Sequence, residues 1–364
     1  MKIILATSMG GLGGTETASL RLGSLLARHG HDVLLAASDG PLVSDAQAAG
    51  MRWQNIDFYG GGRTGYLRAA LSFARLLRRE RPDIVHCQMA RLVPACALAA
   101  KLASRHSAVF YHARGLDAAT YPKITRLFKH LYVYIIANCR HEQEKLIRHG
   151  FPAARIAYTY NALPPAPAAP QKTPRDYVAL GTLSRLDKVR AVHLTLDAFA
   201  LLLKRGLNVR LHIGGTGAEA ATLQAQAAAL GIADRVTFLG AVRDLDAFFA
   251  ATDILANTPD LAGDHGAGVG NNILEAGLYA TAVASYDVAG IAEMVEHGVT
   301  GFCTPLRDQT AFADALAALA ADPALRQRCG QALRERVLRL CCDDEIYRTT
   351  LSAYARAGKT DEAV

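Results

Sequence analysis

The chain has 364 residues, 51% hydrophobic and 20% charged, which supplies apolar side chains for two α/β cores and excludes a disordered chain. Its longest apolar runs fall short of the roughly 20 residues that span a bilayer. The opening MKIILATSMGGLGG reads as a strand entering glycines rather than a signal segment, so a soluble, cytoplasmic protein is expected. Residues 1–165 carry 21 Lys/Arg against 10 Asp/Glu, a net +11, and the remainder carries 19 against 23, a net −4. A basic first domain is expected to face an anionic surface or substrate, with no nucleic-acid partner. The seven cysteines, Cys87, Cys96, Cys139, Cys303, Cys329, Cys341 and Cys342, contain no CxxC pair, so neither a zinc site nor a disulfide framework is indicated.

Apolar runs at 3–6, 33–37, 84–85 and 132–137 alternate with helical patterns, as in βαβ units on a parallel sheet. The first strand ends in SMGGLGGTE at 8–16, and a helix with Leu20, Leu22, Leu25 and Leu26 follows. Glycines there let backbone approach a ligand. Their spacing does not fit the dinucleotide fingerprint, although Asp39 follows the second strand, so hydride transfer is disfavoured. A helix is expected over 66–79, with Arg68, Arg75 and Arg79 on one face and Leu67, Leu71, Ala74 and Leu77 on another. A second basic stretch, 122–135, sets Lys123, Arg126, Lys129 and His130 among Leu127, Phe128, Leu131, Tyr132 and Tyr134. Either is an ordinary solvated face or a surface for anionic lipid headgroups, and the charge of the whole domain favours the lipid.

At 164–174 the sequence PPAPAAPQKTP lacks periodicity and reads as a stiff linker. A second strand series follows at 177–180, 209–213, 236–239, 254–256 and 282–284, and 310–341 is helical in pattern. The expected division is 1–165 as an acceptor-binding domain, 166–342 as a donor domain, and 343–364 as a last helix crossing back to the first. Both domains read as doubly wound α/β units that face each other, with substrate held in the cleft beyond the carboxyl ends of their strands.

The segment 266–301, GAGVGNNILEAGLYATAVASYDVAGIAEMVEHGVTG, carries the most chemistry. Its loop 268–272 offers backbone N–H groups and the positive end of a helix dipole to a diphosphate. Glu275 falls about one turn later, where a carboxylate accepts hydrogen bonds from ribose hydroxyls. The ordinary alternative is a strand-loop-helix unit with a surface glutamate.

In order and spacing, GGTETASLRLGSLLARHGHDVLL, RPDIVH, ALGTLSRLDK, LHIGGTGAE, RVTFLGAV and the 266–301 segment resemble the retaining family 4 glycosyltransferases over nearly the whole chain. The resemblance implies the GT-B fold, two Rossmann-like domains, with no cofactor and no metal. It places Gly13 and Gly14 near the donor phosphates and transferred sugar, and His112, in FYHARG, under that sugar. It assigns Arg185 to a pair of cations on the diphosphate, where leaving-group charge develops; the second cation is Arg190 by spacing or Lys188 by chemistry. Gly270, Asn271 and Asn272 would supply N–H groups, Glu275 the ribose contact, and backbone around Val242 and Arg243 the base site. Three positions depart from the family pattern. Ala267 stands where a glutamate is usual, leaving Asp264, His265 or backbone N–H groups to hold the sugar. Arg190-Ala191 replaces Lys-Gly, and Asn161-Ala162-Leu163 replaces an Asn-Gly exit.

The function expected is retaining transfer of a sugar from a nucleotide-diphosphate donor, UDP favoured, to a lipopolysaccharide or lipid-linked envelope glycan. Contact with an anionic membrane on the cytoplasmic side accompanies it. The sequence shows no carboxylate pair of glycosidase type to act as nucleophile and acid. The rival readings are a sugar-nucleotide epimerase and a catalytically silent subunit that binds a nucleotide sugar or a partner transferase.

Overall fold

The computed structural model describes residues 1–8, 13–104, 106–167, 172–262, 266 and 268–360. They divide into two compact units, one comprising Met1–Pro164, Gly266–Gly268 and Cys341–Val364, the other Pro165–His265 and Val269–Leu340.

In the first unit, β1 (Lys2–Ala6), β2 (Asp32–Ala37), β3 (Arg52–Asn55), β4 (Ile84–Cys87), β5 (Ala108–Ala113), β6 (Tyr134–Ala137) and β7 (Ile156–Tyr158) form a sheet of order β3-β2-β1-β4-β5-β6-β7. Every pairing is parallel. Between the strands run α1 (Gly14–Arg28), α2 (Val43–Ala48), α3 (Gly62–Glu80), α4 (Val93–Ala103), α5 (Tyr121–His130) and α6 (Arg140–Arg148). The second unit sets β8 (Val178–Leu183), β9 (Val209–Gly214), β10 (Val236–Gly240), β11 (Ile254–Asn257), β12 (Ala282–Tyr286) and β13 (Phe302–Thr304) in the order β10-β9-β8-β11-β12-β13, also parallel. Its helices are α7 (Val192–Lys204), α8 (Ala220–Ala229), α9 (Leu245–Ala250), α10 (Asn271–Leu278), α11 (Gln309–Ala321) and α12 (Pro323–Cys341). The last helix, α13 (Asp343–Thr360), packs in the first unit on α1, β6 and β7.

Each unit is thus a doubly wound parallel α/β domain, the fold class expected from the sequence. Chain order reverses beside β1 in one unit and beside β8 in the other, which sets a ligand crevice at the carboxyl ends of β1 and β4, and of β8 and β11. Strand residues alternate between two apolar layers in the first unit. Ile4, Leu34, Val85, Val109 and Tyr111 meet Phe73, Leu76 and Leu77 of α3. Ile3, Leu5, Val33, Leu35, Phe110 and Ile136 meet Leu22 and Leu26 of α1 and Tyr354 of α13. Burial on both faces is why these strands read as continuous apolar runs.

Several expectations are corrected. The basic stretch 122–135 is not one helix: α5 ends at His130, Tyr132 takes a left-handed turn at φ 54°, and Tyr134 and Ile135 belong to β6. The expected strand 132–137 correspondingly begins at Tyr134. On α3, Phe73, Leu76 and Leu77 are buried, whereas Leu67 and Leu71 are 64% and 61% exposed, so those two leucines do not serve the core. The helical region 310–341 is two helices that break at Asp322, whose Oδ1 accepts hydrogen bonds from the N–H groups of Ala324 and Leu325 at 2.9 Å, with Pro323 opening α12. β3, RWQN, escaped the apolar pattern because it is a largely exposed edge strand.

Candidate functional site

In the second unit, the crevice beside β8 is shaped by glycines. The turn after β8 carries Arg185. It lies against the loop after β9 through main-chain hydrogen bonds: Ser184 N–H to Gly214 O at 3.0 Å, Leu186 N–H to Thr216 O at 2.9 Å, and Glu219 N–H to Leu186 O at 3.0 Å. Contact this close leaves no room for Cβ atoms. One added to Gly215 would lie 2.9 Å from the Ser184 carbonyl carbon, and one on Gly217 would lie 2.6 Å from that of Leu186. Gly215 also sits at φ +139°, a region costly for residues with a side chain. Gly215 and Gly217 were legible only as a motif; their role as the brace of the Arg185 turn required the structure.

The three candidate cations differ in setting. Arg185 is largely exposed and meets Asp187 at 3.3 Å. Lys188 is exposed and opens a short 3-10 turn that Asp187 caps by accepting from Arg190 N–H at 3.0 Å. Arg190 is half-buried; burial pushes its guanidinium below the ordinary value, the charge of Arg185 adds to this, and Asp187 opposes it. An anion bound at this turn would offset the lowering of the Arg190 pKa. Ala191 follows in the left-handed region at φ 47°, which accounts for glycine as the fitting residue there. The altered exit at Asn161, Ala162 and Leu163 has no positive φ and is buried, so it needs no glycine.

Gly270 caps α10 in an extended conformation, so Asn271 and Asn272 present first-turn N–H groups. Asn272 Nδ2–H donates to Asn257 Oδ1 at 3.0 Å, and Asn257 Nδ2–H donates to Ser285 Oγ at 3.0 Å. This chain ties the start of α10 to the ends of β11 and β12. Glu275, the fifth residue of α10, is only 6% exposed, so it is not a surface glutamate. Val242 packs under Gly214, and Arg243 is exposed, both in the loop after β10. Asp264, His265 and Ala267 lie outside the described residues.

In the first unit, Gly13 caps α1 and Gly14 is its first residue. His112 is the penultimate residue of β5, 2% exposed, and neither ring nitrogen has a hydrogen-bond partner among the described residues. Burial, then the charge of Arg114, then His86, hold its pKa well below the ordinary imidazole value, so the ring is neutral. Two neighbours went unnoticed in the sequence. Gln88 accepts from Ser19 Oγ–H at 3.3 Å, and Arg114 reaches the Gln88 carbonyl at 3.5 Å. Burial lowers the Arg114 pKa to about 10. Residue 112 near the end of β5 and 114 just past it share parity, as do 86 on β4 and 88 just past it, the only sequence signal for this cluster. On the α3 side, an open recess of about 550 Å³ is lined by Gly62, Arg63, Tyr66, Leu67 and Arg91, with the Arg91 guanidinium 4.9 Å above the Tyr59 ring.

Two doubly wound parallel α/β units of this kind define the GT-B class of fold. The solved structure of Anabaena Alr3699/HepE in complex with UDP and glucose superposes with a TM-score of 0.81 over 100% of both chains at 20% identity. Residues 168–336 match the family model of glycosyl transferases group 1, and residues 13–162 match the glycosyl transferase 4-like domain. The chain belongs to this glycosyltransferase family, and the retaining family 4 expected from its motifs fits. It is 23% identical over 349 residues to N-acetyl-alpha-D-glucosaminyl L-malate synthase of Bacillus anthracis, covering 90% of this chain and 89% of that one. It is 30% identical over 159 residues to the lipopolysaccharide core biosynthesis glycosyltransferase LpsE of Rhizobium meliloti (strain 1021), 44% of each.

Proposed function

We propose that this glycosyltransferase moves a sugar, with retention, from a UDP-sugar to a lipopolysaccharide or lipid-linked envelope glycan. The observation that carries the reading is the placement of two guanidinium groups, Arg185 and the half-buried Arg190, on a turn braced by Gly215 and Gly217 at the switch point of the second unit. Cationic donors fixed in advance are what a departing diphosphate requires. Arg190 is preferred over Lys188 as the second cation because it is half-buried at the braced turn, whereas Lys188 is exposed. The first-turn N–H groups of Gly270, Asn271 and Asn272 complete the anion site, Glu275 takes the ribose, and backbone at Val242 and Arg243 meets the base. The first unit contributes Gly13, Gly14 and His112 toward the transferred sugar and binds the acceptor.

In the proposed step the acceptor oxygen forms the new glycosidic bond on the face the diphosphate leaves. The departing phosphate oxygen takes the acceptor proton. The protein's part is positioning and charge neutralisation, with no cofactor and no metal, so turnover should persist in excess EDTA. UDP in HepE and the lipopolysaccharide core role of LpsE support the donor and acceptor classes. No helix among the described residues is long and apolar enough to cross a membrane; the proposed membrane association is peripheral, on the cytoplasmic face, through α3.

Calorimetry with UDP, GDP and ADP, free and sugar-linked, tests the site. UDP should bind with a dissociation constant of about 1 mM or tighter, about −4 kcal/mol, and Glu275→Ala should abolish it. Acceptor-dependent release of UDP supports transfer; binding without release would favour a silent subunit, and absence of binding by every nucleotide would overturn the reading.

A further inference from the structure

The layer of the first sheet that faces α1 and α13 is largely apolar, and its buried polar groups include a column of rings. His86 on β4 and His112 on β5 lie in this layer, their imidazoles stacked at 5.3 Å and 12°. His86 is fully buried and its Nδ1 lies 2.8 Å from the Tyr354 hydroxyl of α13, whose ring meets it edge-on at 5.7 Å and 87°. Two imidazoles and a phenol in an apolar layer cost free energy unless their polar atoms are matched. Tyr354 is 3% exposed, and His86 Nδ1 is the hydrogen-bond partner of its hydroxyl. With the phenol as donor, Nδ1 accepts and His86 carries its proton on Nε2, a nitrogen with no hydrogen-bond partner among the described residues. Burial, with the charge of Arg114, lowers the His86 pKa to about 3, so this ring too stays neutral.

The geometry points to His86 and Tyr354 as positioning residues for His112: the phenol locks the His86 ring, and that ring, stacked flat on His112, fixes the plane in which the His112 nitrogens meet substrate. This rests on the reading that His112 serves the transferred sugar. It explains why polar rings are stacked where leucine or phenylalanine would pack without unmatched polar atoms. It also gives a helix from the end of the chain a part in the reaction, although Tyr354 itself need not touch substrate.

The test is Tyr354→Phe in the full-length protein, a change that keeps the ring and removes one oxygen. Turnover should fall about tenfold in kcat, as expected when a reacting group loses its alignment, while KM for the donor and UDP affinity stay within about twofold. Nitrogen-detected imidazole spectra of the wild type should show His86 protonated at Nε2, and the variant should shift the ring signals of His112. Unchanged kcat in a folded Tyr354→Phe protein, or a wild-type His86 protonated at Nδ1, would overturn the proposal. His112→Ala separates the two readings. If it leaves turnover intact, the role of His112 itself falls; if it abolishes turnover while Tyr354→Phe does not reduce it, only the positioning falls.

Discussion

At the scale of single residues, the second unit depends on places where a methyl group does not fit. A side chain at Gly217 would drive the Leu186 backbone out of its main-chain hydrogen bonds and move Arg185 with it. Gly217→Ala should therefore weaken UDP binding by more than about tenfold, 1.4 kcal/mol, beyond any loss of stability; calorimetry on the folded variant giving wild-type affinity would show that the turn absorbs the methyl. Ala191 at φ 47° and Ala280 at φ 47°, the latter just past the end of α10, show the opposite case. They hold left-handed conformations without being glycine, and the fold tolerates roughly 1–2 kcal/mol at each.

At the scale of elements, the first unit is tied at the amino end of its sheet by charge. Arg52 on β3 meets Asp32 on β2 at 2.9 Å and Glu80, the last residue of α3, at 2.9 Å, while Lys2 on β1 meets Glu80 at 3.5 Å. The hydrogen bond from Arg52 is the main force holding the Glu80 pKa at about 2 against an ordinary 4.5, with burial opposing and Arg79 assisting. Because the folded value is depressed, the stabilisation is complete above about pH 4.5 and is lost as pH falls toward 2. Arg52 is half exposed, so the effect is modest, under about 1 kcal/mol per pair. Glu80→Gln should flatten the decline of the urea midpoint between pH 4.5 and 2; an equally steep decline in the variant would remove Glu80 from the account.

Strands buried on both faces, such as β1, β2 and β11, were plain in the sequence as apolar runs, and Arg185, Gly270 and Glu275 were plain as motif positions. β3 and the Gln88–Arg114 neighbourhood were not. An edge strand carries no continuous apolar run, and residues on β4 and β5 become neighbours only once register is known: His86 lies opposite Phe110, one step of the same face from His112. The exposure of Leu67 and Leu71 was not legible in the sequence for a related reason. Periodicity says which residues share a face, and the packing partner decides which face is buried.

At the scale of the whole molecule, charge and exposed apolar surface coincide. The net +11 of residues 1–165 accompanies a stripe on α3 in which Arg63, Leu67, Leu71 and Arg75 follow at helical spacing, all exposed. Leucines between arginines suit the boundary of an anionic bilayer. The protein should co-sediment with vesicles containing anionic lipid at low salt and much less near 1 M, where the screening length shrinks to about 3 Å. Leu67→Asp with Leu71→Asp should remove whatever binding survives the salt. Equal binding to neutral vesicles would count against an electrostatic surface.

The contact between the Ser184–Leu186 turn and the loop Gly214–Gly217 has a further consequence. It is written in main-chain atoms, so it is blind to side-chain identity except at the glycines. The residues proposed to meet the base, around Val242 and Arg243, could be exchanged while this scaffold keeps its shape. A family built on it could diversify its substrates by drift at the rim and inherit the proposed phosphate cradle unchanged. Libraries that hold Gly215 and Gly217 fixed and vary the rim would retain that inheritance.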